Sequence, residues 1–377
     1  AQGVTSKDMI YFLMPDRFSN GDPSNDSLPN MQEKYYGRNM PKGRHGGDIQ
    51  GITQHLDYIK ELGNTTLWLT PVLLNDMSQE SFHGYAFTDH YTIDPRFGGE
   101  KAYHEMIDVA HAKGLKVIQD AVYNHVGINH ITVKDKPCKD WLNEWPSFQK
   151  TSYKDQPAFD PYASEIDKKI FRNGWFTEYM PDLNQQNPYV ANYLIQHALW
   201  TVEEFAIDGW RIDTYAYNDP DFMNKCNQAI MNEYPSISIF GETWVTGIPN
   251  QSYFTQNNYN IHYKSNLFGV TDFQLLWAML AGLNEKFGWN EGFSKLYTTL
   301  AQDFVYKDPY KNCIFLDNHD LDRIYGVIGK DMNKMKQAIT WLLTLRGIPQ
   351  LYYGTELLMD KFKNPTDAEV RKDFPGG

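Results

Sequence analysis

The chain has 377 residues, 41% of them hydrophobic, enough for one large domain with an insertion or for two domains. A net charge of −12 argues against a polyanionic partner such as nucleic acid, and no local basic patch offsets it. Cys138, Cys226 and Cys313 show no C-x-x-C spacing, so neither a zinc site nor a full disulfide framework is expected, although one bridge stays open. No apolar run is long enough for a membrane span and no signal peptide stands at the start. The compartment is left open, with a periplasmic or extracellular location favoured.

Residues 1–8 are polar and read as a loose lead-in. Met9–Pro15, MIYFLMP, is a short apolar run that suits a strand buried on both faces. The following turn contains Asn20, Asp22, Asn25 and Asp26, four oxygen-bearing side chains. Such a turn can wrap a hard cation such as Ca2+. It is equally what a solvated turn is made of, and on these residues alone that is the readier reading. Gly46 and Asp48 could add oxygens to the same place.

Ile52–Gly63 carries a helical stripe of Ile52, Leu56, Ile59 and Leu62 closed by glycine. Thr65–Pro71 is a second strand, Glu100–Gly114 a helix, and Leu115–Val122 a third strand. This alternation predicts parallel strands with helical crossovers. Residues 124–186 break the rhythm and read as an inserted lobe. The barrel is then expected over 1–123 and 187–377.

Pro188–Glu204 is a helix feeding the stretch FAIDGWRIDTYAY, Phe205–Tyr217. Arg211 and Asp213 are two residues apart, so strand alternation turns both to one face. Arg211 is expected to hold Asp213 ionised, as a nucleophile requires. The pair is equally a structural ion pair. Further strands are read over Ser236–Thr243, Phe268–Phe273, Cys313–Asp320 and Gly347–Glu356, with helices between them. Eight strands with intervening helices predict a (β/α)8 TIM barrel, whose chemistry sits at the strand C-termini. Asp120, His125, Arg211, Asp213, Glu242, His319 and Asp320 all fall there. Acids at four strand ends are hard to obtain by chance. They suit glycoside hydrolysis, in which one carboxylate attacks or activates water and another group protonates the leaving oxygen. Glu242, in an apolar strand end beside Trp244, suits the proton donor.

The motifs DAVYNH (120–125), GWRID (209–213), GETW (241–244) and FLDNHD (315–320), in this order, resemble the α-amylase superfamily of retaining glycoside hydrolases. The resemblance is to the group of cyclomaltodextrinases, neopullulanases and maltogenic amylases. It implies Asp213 as nucleophile, Glu242 as acid and then base, and Asp320 as transition-state stabiliser. It implies that Tyr85, His83, Asp120, His125, Arg211, Trp244 and His319 bind substrate. A structural Ca2+ on Asn20, Asp22, Asn25, Asp26, Gly46 and Asp48 is implied as well. A second, at Asn124, Asp182 and Tyr217, is implied more loosely, since relatives usually have His at the last position. Thr214 stands where relatives that prefer α-1,6 bonds carry Val, which favours α-1,4 bonds in maltooligosaccharides, cyclodextrins or pullulan. The rival readings are an α-glucan transglycosylase on the same site and a catalytically silent carbohydrate-binding fragment. Relatives of the group carry flanking β-sandwich domains that this chain lacks. A fragment is therefore expected, and a homo-oligomer is left open where the N-terminal domain is present.

Overall fold

The computed structural model describes residues 1–34, 36–363 and 366–377. Eight short strands are present: β1 (Ile10–Leu13), β2 (Thr66–Leu69), β3 (Lys116–Ala121), β4 (Gly209–Ile212), β5 (Ser238–Gly241), β6 (Gly269–Val270), β7 (Cys313–Phe315) and β8 (Ile348–Tyr352). All are parallel, in the order β6-β5-β4-β3-β2-β1-β8-β7. The main helices are α1 (Ile49–Gln54), α2 (Leu56–Glu61), α3 (Gly99–Ala112), α4 (Pro188–Phe205), α5 (Pro220–Glu233), α6 (Phe273–Asn284), α7 (Phe293–Ala301) and α8 (Met332–Thr344). Strand, crossover and strand repeat around one core, which makes the expected TIM barrel. Apart from partly exposed residues at the starts of β3 and β5, every strand residue is buried. That explains why the strands read as apolar runs without alternation.

Every strand is shorter than its sequence pattern suggested, because the ends of each run leave the ladder. The Cys313–Asp320 run pairs only over Cys313–Phe315, and Leu316–Asp320 forms a loop. The helix read over Ile52–Gly63 is two helices. They meet at His55, whose Nδ1 lies 2.7 Å from the Gly51 carbonyl. Leu62, expected in the buried stripe, is exposed.

Residues 1–8 are not loose. The Gln2 amide donates to Asp208 Oδ1 at 2.8 Å, the Val4 amide donates to Ser238 Oγ at 2.6 Å, and Val4 is buried. The segment thus ties down the bottom of β4 and β5. Residues 366–377 also fold back, with Ala368 and Val370 buried and the Phe374 amide donating to the Arg17 carbonyl at 2.8 Å.

The barrel closes between β6 and β7 through a single parallel bridge, Thr271–Cys313, with the Asp272 amide donating to the Cys313 carbonyl at 2.8 Å. Close approach limits β6 to two residues. A Cβ on Gly269 would lie 1.9 Å from the Lys311 carbonyl oxygen. Side chains complete the seam. Asp272 caps α6 and accepts from Gln251 Nε2 at 2.8 Å and from Arg346 Nη1 at 2.6 Å, while Arg346 also grips Asp303. Between β3 and α4, residues 124–186 hold only short helices and isolated bridges, among them His125–Asp182 and Leu142–Leu183. Among the described residues, no helix is long and apolar enough to cross a membrane.

Arg346→Met would leave the buried Asp272 carboxylate without its cation. Urea unfolding is expected to show a loss of about 3 kcal/mol, the usual cost of breaking one side of a buried pair.

Candidate active site

Register places the site. β3 and β4 pair Asp120 with Arg211, and β4 and β5 pair Arg211 with Phe240. One guanidinium therefore enters the barrel mouth with carboxyls on either side. Arg211 Nη1 donates to Asp213 Oδ1 at 2.7 Å and to Asp120 Oδ1 at 2.9 Å, and Arg211 Nη2 lies 3.2 Å from Glu242 Oε2. Its face lies over the Trp68 ring, 5.1 Å from the centroid, and Trp68 Nε1 donates to Asp120 Oδ2 at 3.2 Å. Trp68 was not singled out in the sequence. Its signal was a lone large aromatic in the middle of β2.

After Asp213 the chain turns sharply. Thr214 adopts a left-handed backbone with φ of 46°, uncommon for a residue with a branched side chain. The turn aims its amide at Glu242 Oε2, 2.8 Å away. The end of β5 is tight as well. A Cβ on Gly241 would meet the Tyr215 ring at 2.5 Å, so glycine lets the tyrosine pack beside Glu242.

Asp213, Glu242 and Asp320 line one cavity of about 440 Å³, together with Trp244, Trp277 and Tyr153. A neighbouring hollow of about 280 Å³ shares Asp213 and Asp320 and is lined by His83, Tyr85, His125, His319 and Arg371. The two form one cleft that runs past the three acids. All three acids expected to act together are therefore gathered, and so are most of the expected substrate-binding residues. Tyr85 donates its hydroxyl to Asp120 Oδ2 at 2.9 Å, and its ring stacks on His319 at 5.3 Å. His83 Nδ1 accepts from the Tyr85 amide at 2.9 Å. Asn124 Nδ2 faces His125 Nδ1 at 3.2 Å, which leaves the proton on Nε2, a buried donor without a partner. Burial pushes His125 down to about 4 and His83 and His319 to about 3, so all three are neutral.

One expectation needs correction and another holds. Arg211 does not simply hold Asp213 ionised. It serves three buried carboxyls at once, and burial raises Asp213 to about 7 against its pull. Glu242 follows the apolar end of β5 and is buried, as expected. Burial first, then the like charges of Asp213 and Asp320, raise it to about 7. The Trp244 ring, which lines the same cavity, is half-exposed and stacks on Phe273 at 5.1 Å. Of the two acids, Asp213 lies closer to the guanidinium, so the proton rests on Glu242. Asp320 goes the other way. Burial would raise it, but His319 Nε2, 3.3 Å from Oδ2, and the cations of Arg371, bonded at 2.6 Å, and Arg211 hold it below the ordinary carboxylate range. Arg371 lies in the segment that follows β8. Nothing in the local pattern marked it.

The turn after β1 also gathers. Asp48 accepts from the Gly21 amide at 3.0 Å, the Asp22 amide at 2.8 Å and Asn25 Nδ2 at 3.2 Å. Asn20 Nδ2 donates to Asp26 Oδ1 at 2.8 Å. The remaining amide oxygens, Asn20 Oδ1 and Asn25 Oδ1, are buried and have no hydrogen-bond partner. Asp22 departs from expectation, because its exposed carboxylate caps Ser24 and is turned away from the cluster. Asp16, not singled out in the sequence, instead approaches, accepting from the His45 and Gly46 amides. At the second proposed metal position Asp182 Oδ2 accepts from Asn143 Nδ2 at 2.7 Å and bonds the Asn124 side chain, while Oδ1 is buried and unpartnered. The Tyr217 ring packs among Phe171, Phe176 and Tyr153, leaving only its main-chain oxygen to offer.

Residues 12–374 match the family model described as alpha amylase, catalytic domain. The chain belongs to that family. A cyclomaltodextrinase from Thermoanaerobacter pseudethanolicus is 32% identical over 94% of this chain and 58% of its own length. A maltogenic α-amylase from Bacillus acidopullulyticus is 29% identical over 95% of this chain and 58% of its length. The chain thus spans little more than half the length of these family members. Among solved structures, an Anoxybacillus α-amylase superposes with a TM-score of 0.81 at 30% identity, covering 98% of this chain and 76% of that one.

Raised acids make the site costly. A carboxyl with a folded pKa near 7 and an unfolded value near 4.3 binds extra protons when folded between those pH values, so stability falls as pH rises through the window. Glu242→Gln is expected to be more stable than the parent at pH 8, by about 3 to 4 kcal/mol, and the gap should nearly close by about pH 4.5. A calorimetric melt at both pH values measures it.

Proposed function

We propose that the protein hydrolyses α-1,4-glucosidic bonds in starch-derived glucans, with retention of configuration. The observation that carries this is the sharing of Arg211 among Asp120, Asp213 and Glu242 in a cleft that Asp320 also lines. Asp213 has Oδ1 bound to Arg211, which leaves Oδ2 to attack the anomeric carbon. Glu242 has Oε2 engaged by the Thr214 amide, which leaves Oε1 to carry the proton to the leaving oxygen and later to draw one from water. Asp320, kept ionised by Arg371, faces the positive charge that develops on the sugar ring. Tyr85 offers a ring face for the sugar, and His125 and His319 offer hydrogen bonds to its hydroxyls. Thr214 beside the nucleophile favours α-1,4 over α-1,6 bonds.

Glu242→Gln is expected to slow hydrolysis of maltoheptaose by about 10³-fold. An equal rate would remove Glu242 from the mechanism. Product chromatography on the same substrate separates hydrolysis from transfer, because chains longer than seven sugars would identify a transglycosylase.

The turn after β1 suits a Ca2+ ion. Two buried amide oxygens lack donors, the Asp26 carboxyl is raised by burial and by the charges of Asp48 and Asp16, and a Cβ on Gly46 would fill the cradle 2.7 Å from Asp26 Oδ1. Asn20, Asn25, Asp26 and Asp48 would hold the ion, with main-chain oxygens of Asp22 and Gly46. It would serve as a clamp between β1 and α1 and take no part in bond cleavage. Asn124 and Asp182 fit a second ion less completely, with one carboxylate between them. Chelation is expected to lower the melting temperature by several degrees, with recovery in excess Ca2+. Asn25→Leu should abolish that response in the same scan.

A further inference from the structure

On the Glu242 side of the cleft, the rings continue past the three acids. Trp244, 47% exposed, stacks on Phe273 at 5.1 Å with the planes 12° apart, and Phe273 meets Trp277 at 5.8 Å. Trp277, 38% exposed, lines the cleft. It also lines a separate groove of about 650 Å³ between α6 and α7. The track is held firmly. Gln274 Nε2 donates to the Val245 carbonyl at 2.8 Å, and the Gly247 amide donates to Gln274 Oε1 at 3.1 Å, so the loop bearing Trp244 is pinned to the helix bearing Trp277.

The groove is not lined as a protein interface core would be. Ala278, Leu280 and Ala281 form its floor, while Asn290, Thr298 and Thr299 bring side-chain amide and hydroxyl groups to its wall. Among the described residues those three side chains make no hydrogen bond to protein. The charges at its edge are already spent, with Lys295 bonded to Glu285 at 2.8 Å. Beyond it, the loop between the helices carries Phe287, 78% exposed, and Trp289, 93% exposed. Aromatic faces with neutral hydrogen-bonding groups between them suit a sugar chain, which has an apolar ring face and a rim of hydroxyls.

We propose that the α6–α7 groove binds the continuing α-glucan chain as it leaves the cleft, with Trp277 as the ring common to both. This rests on the glucan-cleaving reading of the cleft. The groove lengthens the footprint on long substrates and adds nothing for a short one.

The test is retention of the full chain in native gels containing amylose, with Glu242→Gln in every sample to prevent digestion. The reference protein is expected to be retarded. Trp277→Ala should weaken apparent affinity about fivefold, and Trp277→Phe should restore most of it. Ala281→Trp, which fills the groove from α6, and Thr298→Arg, at an exposed position on α7, should weaken it similarly. Far-UV circular dichroism checks that each is folded, and the Thr298 variant keeps the test open if the Ala281 variant is not. An unretarded reference protein overturns the proposal. So does retention unchanged in the groove variants, whether or not Trp277→Ala loses it, because the ring would then belong to the cleft alone. A groove variant that changes oligomeric state while leaving retention intact would assign the surface to a second copy of the chain and likewise overturn it. Hydrolysis by the unsubstituted protein is scored separately, so failure of the groove is distinguishable from failure of the cleft reading.

Discussion

One guanidinium governs the charge balance of the barrel mouth. Arg211 is fully buried, stacked over Trp68, and bonded to carboxyls from three consecutive strands. Three acids around one cation cannot all ionise cheaply in a low-dielectric pocket. The surplus is met by holding a proton, and the bonding pattern puts that proton on Glu242 rather than Asp213. The same arithmetic explains why Asp120, which holds Tyr85 and Trp68, is as firmly built in as the acids proposed to react. It is the strut that keeps Arg211 in register, and through Arg211 it sets the acidity of the other two.

The barrel around this cation is economical. Its strands are two to six residues long, and the last seam rests on one bridge reinforced by Asp272 and Arg346. Short strands bring the polar residues that follow them to the rim, where the loops can aim them. The left-handed turn at Thr214 and the missing side chain at Gly241 both lie against Glu242.

Much of this was legible in the sequence because strand ends and chemistry coincide. GWRID and GETW each set an apolar run directly against a charged residue, and that junction fixes both the strand and the side chain that leaves it. Strand lengths were overread for the same reason, since an apolar or motif residue beyond the ladder looks no different from one within it. Trp68 and Arg371 escaped for different causes. Trp68 looks like any core aromatic until a cation is known to lie on it. Arg371 acts through a contact 51 positions distant, which no local periodicity encodes. The split at His55 was hidden because the helical stripe continues across it. Asp22 was overvalued because a carboxylate in a turn reads identically whether it faces a cluster or caps the next residue.

Arg371 gives the cleft a second cation, delivered by a segment that also docks on the first turn of the chain. Arg17 Nη1 donates to the Arg371 carbonyl at 3.1 Å, and the Phe374 amide returns to Arg17. The two ends of the barrel's wiring therefore meet beside Asp320. During folding the eight strands could be in place and the acids already assembled while the electrostatic field over them was still wrong. The pocket reaches its working polarity only when the segment after β8 has found the turn after β1, so the site's charge reports on the docking of two segments far apart in the chain.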